Sequence, residues 1–287
     1  MALLALAGIF GFFLVLIVVA TSLLGYRNTL PLGDKIGVVE VEGVILSSDQ
    51  IVEQLGDFRE DDSIRAVVLR IDSPGGGVAP SQEICEEVGK LVKVKPVVVS
   101  MGSVAASGGY YIAAPATRII ANPGTITGSI GVIMEFTNVQ ELFGKIGLRS
   151  EVVKSGTHKD IGSPTRAMTD ADRQILQGMI NDVYQQFVGQ IVTSRKLPIE
   201  KVLTLADGRI FSGRQALDNG LVDALGNFQD AVDTAARLGK VSGEPRLVYP
   251  PRAKPGWLEY LVQESVSQVR RGLTGQGSSG GLQFRWQ

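Results

Sequence analysis

Three runs dense in β-branched residues, KIGVVEVEGVI, RAVVLRID and PVVVSM, are separated by stretches with helical periodicity. That alternation constrains the fold more than any other feature of the chain. The first run alternates as a half-buried strand does. SSDQIVEQLGDF follows it as a capped helix that begins at Ser48 or Asp49. RAVVLRID is broken by SPGGG. PSQEICEEVGKLVKV then places Pro80 where a first helical turn tolerates it, with Ile84, Val88, Leu91 and Val92 as its apolar positions. PVVVSM is a third strand, SGGYYIAA a short helix, and SIGVIM and RSEVVKS read as further strands. Residues 169–196 read as a long amphipathic helix opened by TDAD, with Ile175, Met179, Val183, Phe187 and Ile191 on one face. Strands alternating with helices build βαβ units around a mostly parallel sheet, so the expected class is α/β.

The ends differ from this middle. Ala2 to Tyr26 carries no charged side chain, and a helix needs about 20 apolar residues to cross a bilayer. A cleaved signal peptide has a basic start and an apolar run of only about 7–15 residues, whereas nothing before Arg27 is basic except the amino terminus. Residues 1–29 are therefore expected to be a retained transmembrane anchor, and residues 30–240 the globular domain. After Lys240, SGEPRLVYPPRAKPG carries four prolines, WLEYLVQESVSQVRR has the pattern of an amphipathic helix, and GLTGQGSSGG has that of a flexible chain. Residues 241–287 are read as a Pro-rich linker, a terminal helix and a tail. Arg27 and Lys35 follow the apolar run, which taken alone would hold the domain inside; a domain of this length crosses largely regardless of flanking charge.

Composition removes several classes of function. The formal net charge is −1 and no basic stripe is present, so nucleic acid is not an expected partner. One cysteine, Cys85, and one histidine, His158, cannot supply a disulfide or a Cys/His zinc cluster, and no metal or other cofactor is expected.

Two stretches that follow strands could carry chemistry. DSPGGGV offers glycines whose backbone can approach a ligand closely; it fits neither the P-loop nor the dinucleotide fingerprint. An oxyanion hole or an ordinary tight turn remains. SMGSVAASGGYYIAA offers Ser100, Ser103 and Ser107, of which Ser107 stands at a strand-to-helix junction beside free N–H groups. A serine nucleophile needs a base, and KSGTHKDIGSP sets His158 directly against Lys159. In extended backbone these neighbours face opposite ways, so His158 and Asp160 could share a face with Lys159 opposed. Spacing alone does not choose between them.

DSPGGG, AASGGYYIA, NPGTITGSIGV, KSGTHKDIGSP and GRIFSGRQALDNGLVDALG, in this order, resemble the signal peptide peptidase A family in its single-copy form, over about residues 36–240. The resemblance implies a Clp-protease/crotonase-like fold of repeated ββα units. It implies Ser107 as nucleophile, Lys159 as general base, Ser129 as the hydroxyl that orients the lysine, and the N–H groups of Gly76 and Gly108 as the oxyanion hole. His158 has no role in it. A lysine ordinarily keeps its proton to about pH 10.4, so such a base must be desolvated. Asp160 must then point away from it, and activity should rise with pH. The family further implies an endopeptidase of cleaved, remnant signal peptides, working at the cell membrane as a single-pass protein with its domain on the extracytoplasmic side. It also implies a homo-oligomer in which neighbouring protomers share the dyad. A crotonase-like acyl-CoA enzyme, or a non-catalytic membrane scaffold on the same fold, are the rival readings; neither needs a serine–lysine pair.

Overall fold

The computed structural model describes residues 34–251. The expected anchor at 1–29, the terminal helix and the tail fall outside that range. Among the described residues no helix is long and apolar enough to cross a membrane.

The three valine-rich runs become β1 (Lys35–Ile45), β2 (Ile64–Gly76) and β3 (Val97–Ala106), joined by α1 (Asp49–Glu60) and α2 (Val78–Val92). β3 leads directly into α3 (Gly108–Ala113). The rest of the sheet is β4 (Arg118–Ala121), β5 (Ile126–Gly128), β6 (Ile210–Ser212), β7 (Ala224–Leu225) and β8 (Arg246–Val248). The strand order is β6-β5-β3-β2-β1-β8, with β4 between β3 and β7 off that path. Every pairing is parallel except β5 with β6. The sheet thus takes in Arg246–Val248, beyond the expected boundary at residue 240, because β8 pairs with the start of β1.

Each long strand is divided in two. The register of β1 against β2 shifts between Glu42 and Val44, and that of β2 against β3 between Ile71 and Ser73. β3 pairs with β4 through Val98–Met101 and then with β5 through Val104–Ala106. Two strand stretches followed by a helix therefore recur three times, which is how the expected ββα unit appears. SPGGG does not break β2: Ser73 to Gly76 continue it after the irregularity, carrying the glycines toward the next strand's end.

Both sheet faces are covered, as parallel strands require. One face buries Val39, Leu69, Val99 and Ile71 against α1, α2 and α3; the other buries Val38, Val68 and Val98 against the helix Phe228–Leu238. Tyr110 of α3 is fully buried and its hydroxyl donates to the Leu221 carbonyl at 2.9 Å.

Between β5 and β6 the chain leaves the sheet. It forms α4 (Gln140–Lys145), which buries no residue, and then α5 (Asp170–Arg195) and α6 (Ile199–Leu205). SIGVIM and RSEVVKS are not strands here. They carry the right side chains but meet no neighbouring strand among the described residues, and Ile133 and Val153 are 88% and 102% exposed. α5 opens with a capping box between Thr169 and Asp172, as TDAD suggests. Its apolar face is used unevenly: Phe187 and Ile191 are buried, whereas Ile175 and Met179 are about half exposed.

Candidate active site

Ser107 sits at the junction of β3 and α3 with φ 52° and ψ −119°. Its N–H donates to the Gly128 carbonyl at 2.8 Å, tying the junction to the end of β5. Gly108 follows as the first residue of α3, where an N–H has no partner within the helix.

The glycine end of β2 packs onto this junction. A Cβ on Gly75, whose φ is +101°, would stand 2.7 Å from the Gly108 nitrogen and 2.9 Å from the Ser107 Cβ. A Cβ on Gly108 would stand 3.3 Å from the Gly76 nitrogen. Gly77 donates its N–H to Ile45 in β1. Successive N–H groups of a strand point to opposite edges, so that of Gly76 is directed the other way, toward the start of α3. The backbones of Gly76 and Gly108 thus lie close together beside Ser107, where two N–H groups would suit a developing oxyanion.

Ser107, Gly76, Gly108 and Ser129 line one cleft of about 330 Å³. Ser129 follows β5 with φ 51°, held by a 2.8 Å bond from its N–H to the Arg209 carbonyl. Apolar side chains from separate elements form the walls: Val78 of α2, Tyr111 of α3, Val183 and Phe187 of α5, and Ile133. Tyr111 and Phe187 meet edge to face at 4.9 Å, and burial pushes the Tyr111 phenol up. Helical periodicity places Val183 and Phe187 on an apolar face without linking them to a site, and it passes over Ser81, which also lines the cleft. The Ser81 hydroxyl donates to the Gly77 carbonyl at 2.8 Å, bracing the glycine loop. Ser81 lies three residues after Val78 in α2, and nothing in its sequence context marks it.

Lys159 is not in this cleft. It lies in an exposed turn between α4 and α5, and among the described residues its amine makes no ion pair. The backbone here is a turn, not extended, and the neighbours of Lys159 are engaged by other groups: Asp160 pairs with Lys154 at 2.6 Å and with Arg166 at 2.9 Å, and His158 Nδ1 lies 3.3 Å from Asp172. The Arg166 guanidinium, with help from Lys154, holds the Asp160 carboxyl well below the usual carboxylate range, and Arg166 does the same for Asp172. His158 is therefore occupied by a structural contact, with its side chain 45% exposed. One subunit brings together Ser107, Ser129, Gly76 and Gly108 and leaves Lys159 outside. Among the described residues no cluster of His, Cys, Asp and Glu could hold a metal ion.

Known proteins bear on the family and the fold. The model of the family described as Peptidase family S49 matches residues 90–242, and that described as Clp protease matches residues 40–127. The chain is 46% identical over 206 residues to the candidate protease slr0021 of Synechocystis sp., covering 71% of this chain and 74% of that protein. It is 38% identical over 197 residues to a candidate signal peptide peptidase SppA of Enterococcus faecium, covering 68% of this chain and 57% of the relative. Among solved structures, a variant of the 1510-N membrane-bound stomatin-specific protease superposes with a TM-score of 0.52 at 15% identity, covering 77% of this chain and 99% of that one. That likeness concerns the fold, which is α/β and Clp-protease/crotonase-like. On the extent of the family match and the identity of its relatives, this chain belongs to peptidase family S49, the signal peptide peptidase A family, and is a serine peptidase.

Proposed function

We propose that the protein is a membrane-anchored endopeptidase of remnant signal peptides that works through a Ser107–Lys159 dyad completed between neighbouring copies of the chain. The observation that carries this reading is the separation of the two residues within one subunit. Ser107 stands in a built cleft that holds no base, and Lys159 stands exposed with no ion-pair partner among the described residues. The segment bearing Lys159 also displays Phe136, Leu142, Ile146, Leu148 and Val153 to the outside. A second copy would cover such a surface and supply the burial that an amine needs to act as a base.

In this reading Lys159 from one protomer enters the cleft of the next, where Ser129 accepts a hydrogen bond from the amine and orients it. The Ser107 hydroxyl gives its proton to the amine as its oxygen bonds to the scissile carbonyl carbon. The carbonyl electron pair moves onto oxygen, facing the N–H groups of Gly76 and Gly108. Collapse expels the leaving amine, which takes the proton from the ammonium. Water, deprotonated by the same lysine, then releases the acyl group from Ser107. The substrate lies extended along the glycine loop near Gly76–Ala79, held by main-chain hydrogen bonds. Apolar walls at Val78, Val183 and Phe187 suit the side chains of a signal peptide.

The uncharged run from Ala2 to Tyr26 supports an anchor that confines the enzyme to the membrane where such peptides remain; the placement of the domain on the extracytoplasmic side rests on the family resemblance alone. The test is cleavage of an apolar, unstructured peptide by the wild type, Ser107→Ala and Lys159→Ala, from about pH 6 to 10. Both variants should lose at least about 10³-fold in kcat, and the wild-type rate should rise with pH. A rate that instead tracks a group titrating near 6.5, or a fully active Lys159→Ala, would return His158 to consideration.

A further inference from the structure

The turn that carries Lys159 has almost no apolar support. Every residue from Gly144 to Lys159 is exposed. Yet a base on a flexible four-carbon stem must be delivered to within a fraction of an ångström, since a misplacement of about 1 Å can cost about 10²-fold in rate. Something other than a hydrophobic core has to fix that backbone.

The polar contacts on either side of Lys159 supply it. Arg166 donates from Nε to Asp160 Oδ2 and from Nη2 to Asp160 Oδ1, both at 2.9 Å, and from Nη2 to the Asp160 carbonyl at 3.2 Å. Its remaining nitrogen, Nη1, donates to Asp172 Oδ2 at 2.6 Å. Asp172 is 1% exposed, belongs to the first turn of α5 and closes the capping box with Thr169. Its other oxygen lies 3.3 Å from His158 Nδ1. The side chains of His158, Asp172, Arg166 and Asp160 thus form a continuous chain of contacts whose two ends are the residues before and after Lys159. Lys154 closes the turn from the other side, donating to the Thr157 carbonyl at 2.8 Å and to Asp160 at 2.6 Å.

We propose that Arg166 is a positioning residue for Lys159, its guanidinium bridging Asp160 and Asp172 so that the lysine's turn is fixed to the first turn of α5 through the buried Asp172 carboxylate. This role rests on the reading of Lys159 as the base. A forked, planar cation is what two carboxylates on different segments require; a lysine could satisfy only part of the set. The same contacts occupy both acidic and imidazole neighbours and so keep them from competing for the Lys159 amine.

Full-length wild type, Arg166→Ala, Arg166→Lys and Lys159→Ala are compared on one apolar peptide, with thermal midpoints measured in parallel. Arg166→Ala should lose roughly 10²-fold in kcat with KM within about twofold. Millimolar guanidinium ion, far below denaturing levels, should return about tenfold of that loss by refilling the gap between the two carboxylates. Arg166→Lys should recover only in part, and Lys159→Ala should not respond to guanidinium. A wild-type kcat in Arg166→Ala beside an inactive Lys159→Ala would overturn the positioning role and leave the base intact. So would a loss that guanidinium does not relieve and that follows the folded fraction. Full activity in Lys159→Ala would remove the base itself, and the proposal with it.

Discussion

Ser107 carries a side chain in a backbone conformation that favours glycine, with φ 52°. Holding a residue there costs on the order of 1–3 kcal/mol, and the surrounding contacts from Gly75, Gly128 and α3 keep it there. Ser107→Gly should therefore unfold at higher free energy than Ser107→Ala, by about 1 kcal/mol once the greater freedom of unfolded glycine is set against the relief. Denaturant midpoints compare the two, and an equal or lower midpoint for the glycine variant would contradict the strain. Gly75 has the opposite constraint. A methyl group there would press on the Gly108 nitrogen at 2.7 Å, so Gly75→Ala should displace the Gly108 N–H, an oxyanion donor in the proposed mechanism, and lower kcat by about 10²-fold or more, with a smaller effect on KM. Cys85 is no competing nucleophile: it is buried, and desolvation pushes its thiol up to about 12. A thiol whose folded value lies above its unfolded one supports the fold fully below about pH 8.5 and withdraws that support as pH rises toward the folded value. Maleimide at pH 8 should leave the native protein unlabelled and react after unfolding.

At the scale of elements, α3 fixes the position of Ser107, the proposed nucleophile, and its anchor is Tyr110. Tyr110→Phe would leave the buried Leu221 carbonyl without its donor, at a cost of about 1–3 kcal/mol. The unfolding midpoint should fall with an unchanged denaturant slope; no change would mean that water replaces the hydroxyl. The turn that carries Lys159 depends instead on charge. Asp160 and Asp172 are held below their ordinary range, so their contribution is present above the unfolded carboxylate value near 3.9 and is lost as pH falls through and below it. Amide exchange at residues 156–163 should accelerate in that range before exchange in β1–β3 does. The same contrast decides what is readable in the sequence. β1, β2, β3, α2 and α5 follow from periodicity because a sheet covered on both faces demands unbroken apolar runs and the helices need an apolar stripe. SIGVIM and RSEVVKS mislead for the same reason: Ile133 and Val153 have the composition of a strand, and composition does not say whether a neighbour exists. Ser107, Gly76 and Gly108 sit where strands end, which the sequence marks with glycine. Ser81 and the partners of Arg166 depend on contacts that no local pattern records.

At the scale of the molecule, the described residues form a sheet with both faces packed and, between β5 and α5, an excursion that buries little. That asymmetry divides the chemistry. Ser107, Gly76 and Gly108 belong to the packed part, where strain can be borne; Lys159 belongs to the part that one subunit leaves uncovered. A head-to-tail contact, in which unlike surfaces meet and the rotation closes a ring, is the symmetry that would give every cleft a lysine. The most direct measurement mixes two inactive proteins, Ser107→Ala and Lys159→Ala, in equal amounts under conditions that let subunits exchange. Each cleft then needs a Ser107 from one variant and a Lys159 from the other, so activity should return to about a quarter of the wild-type rate when sites assemble at random. If both variants are inactive alone and the mixture stays inactive after demonstrated exchange, the base and the nucleophile do not come from different copies, and a dyad shared between subunits is excluded.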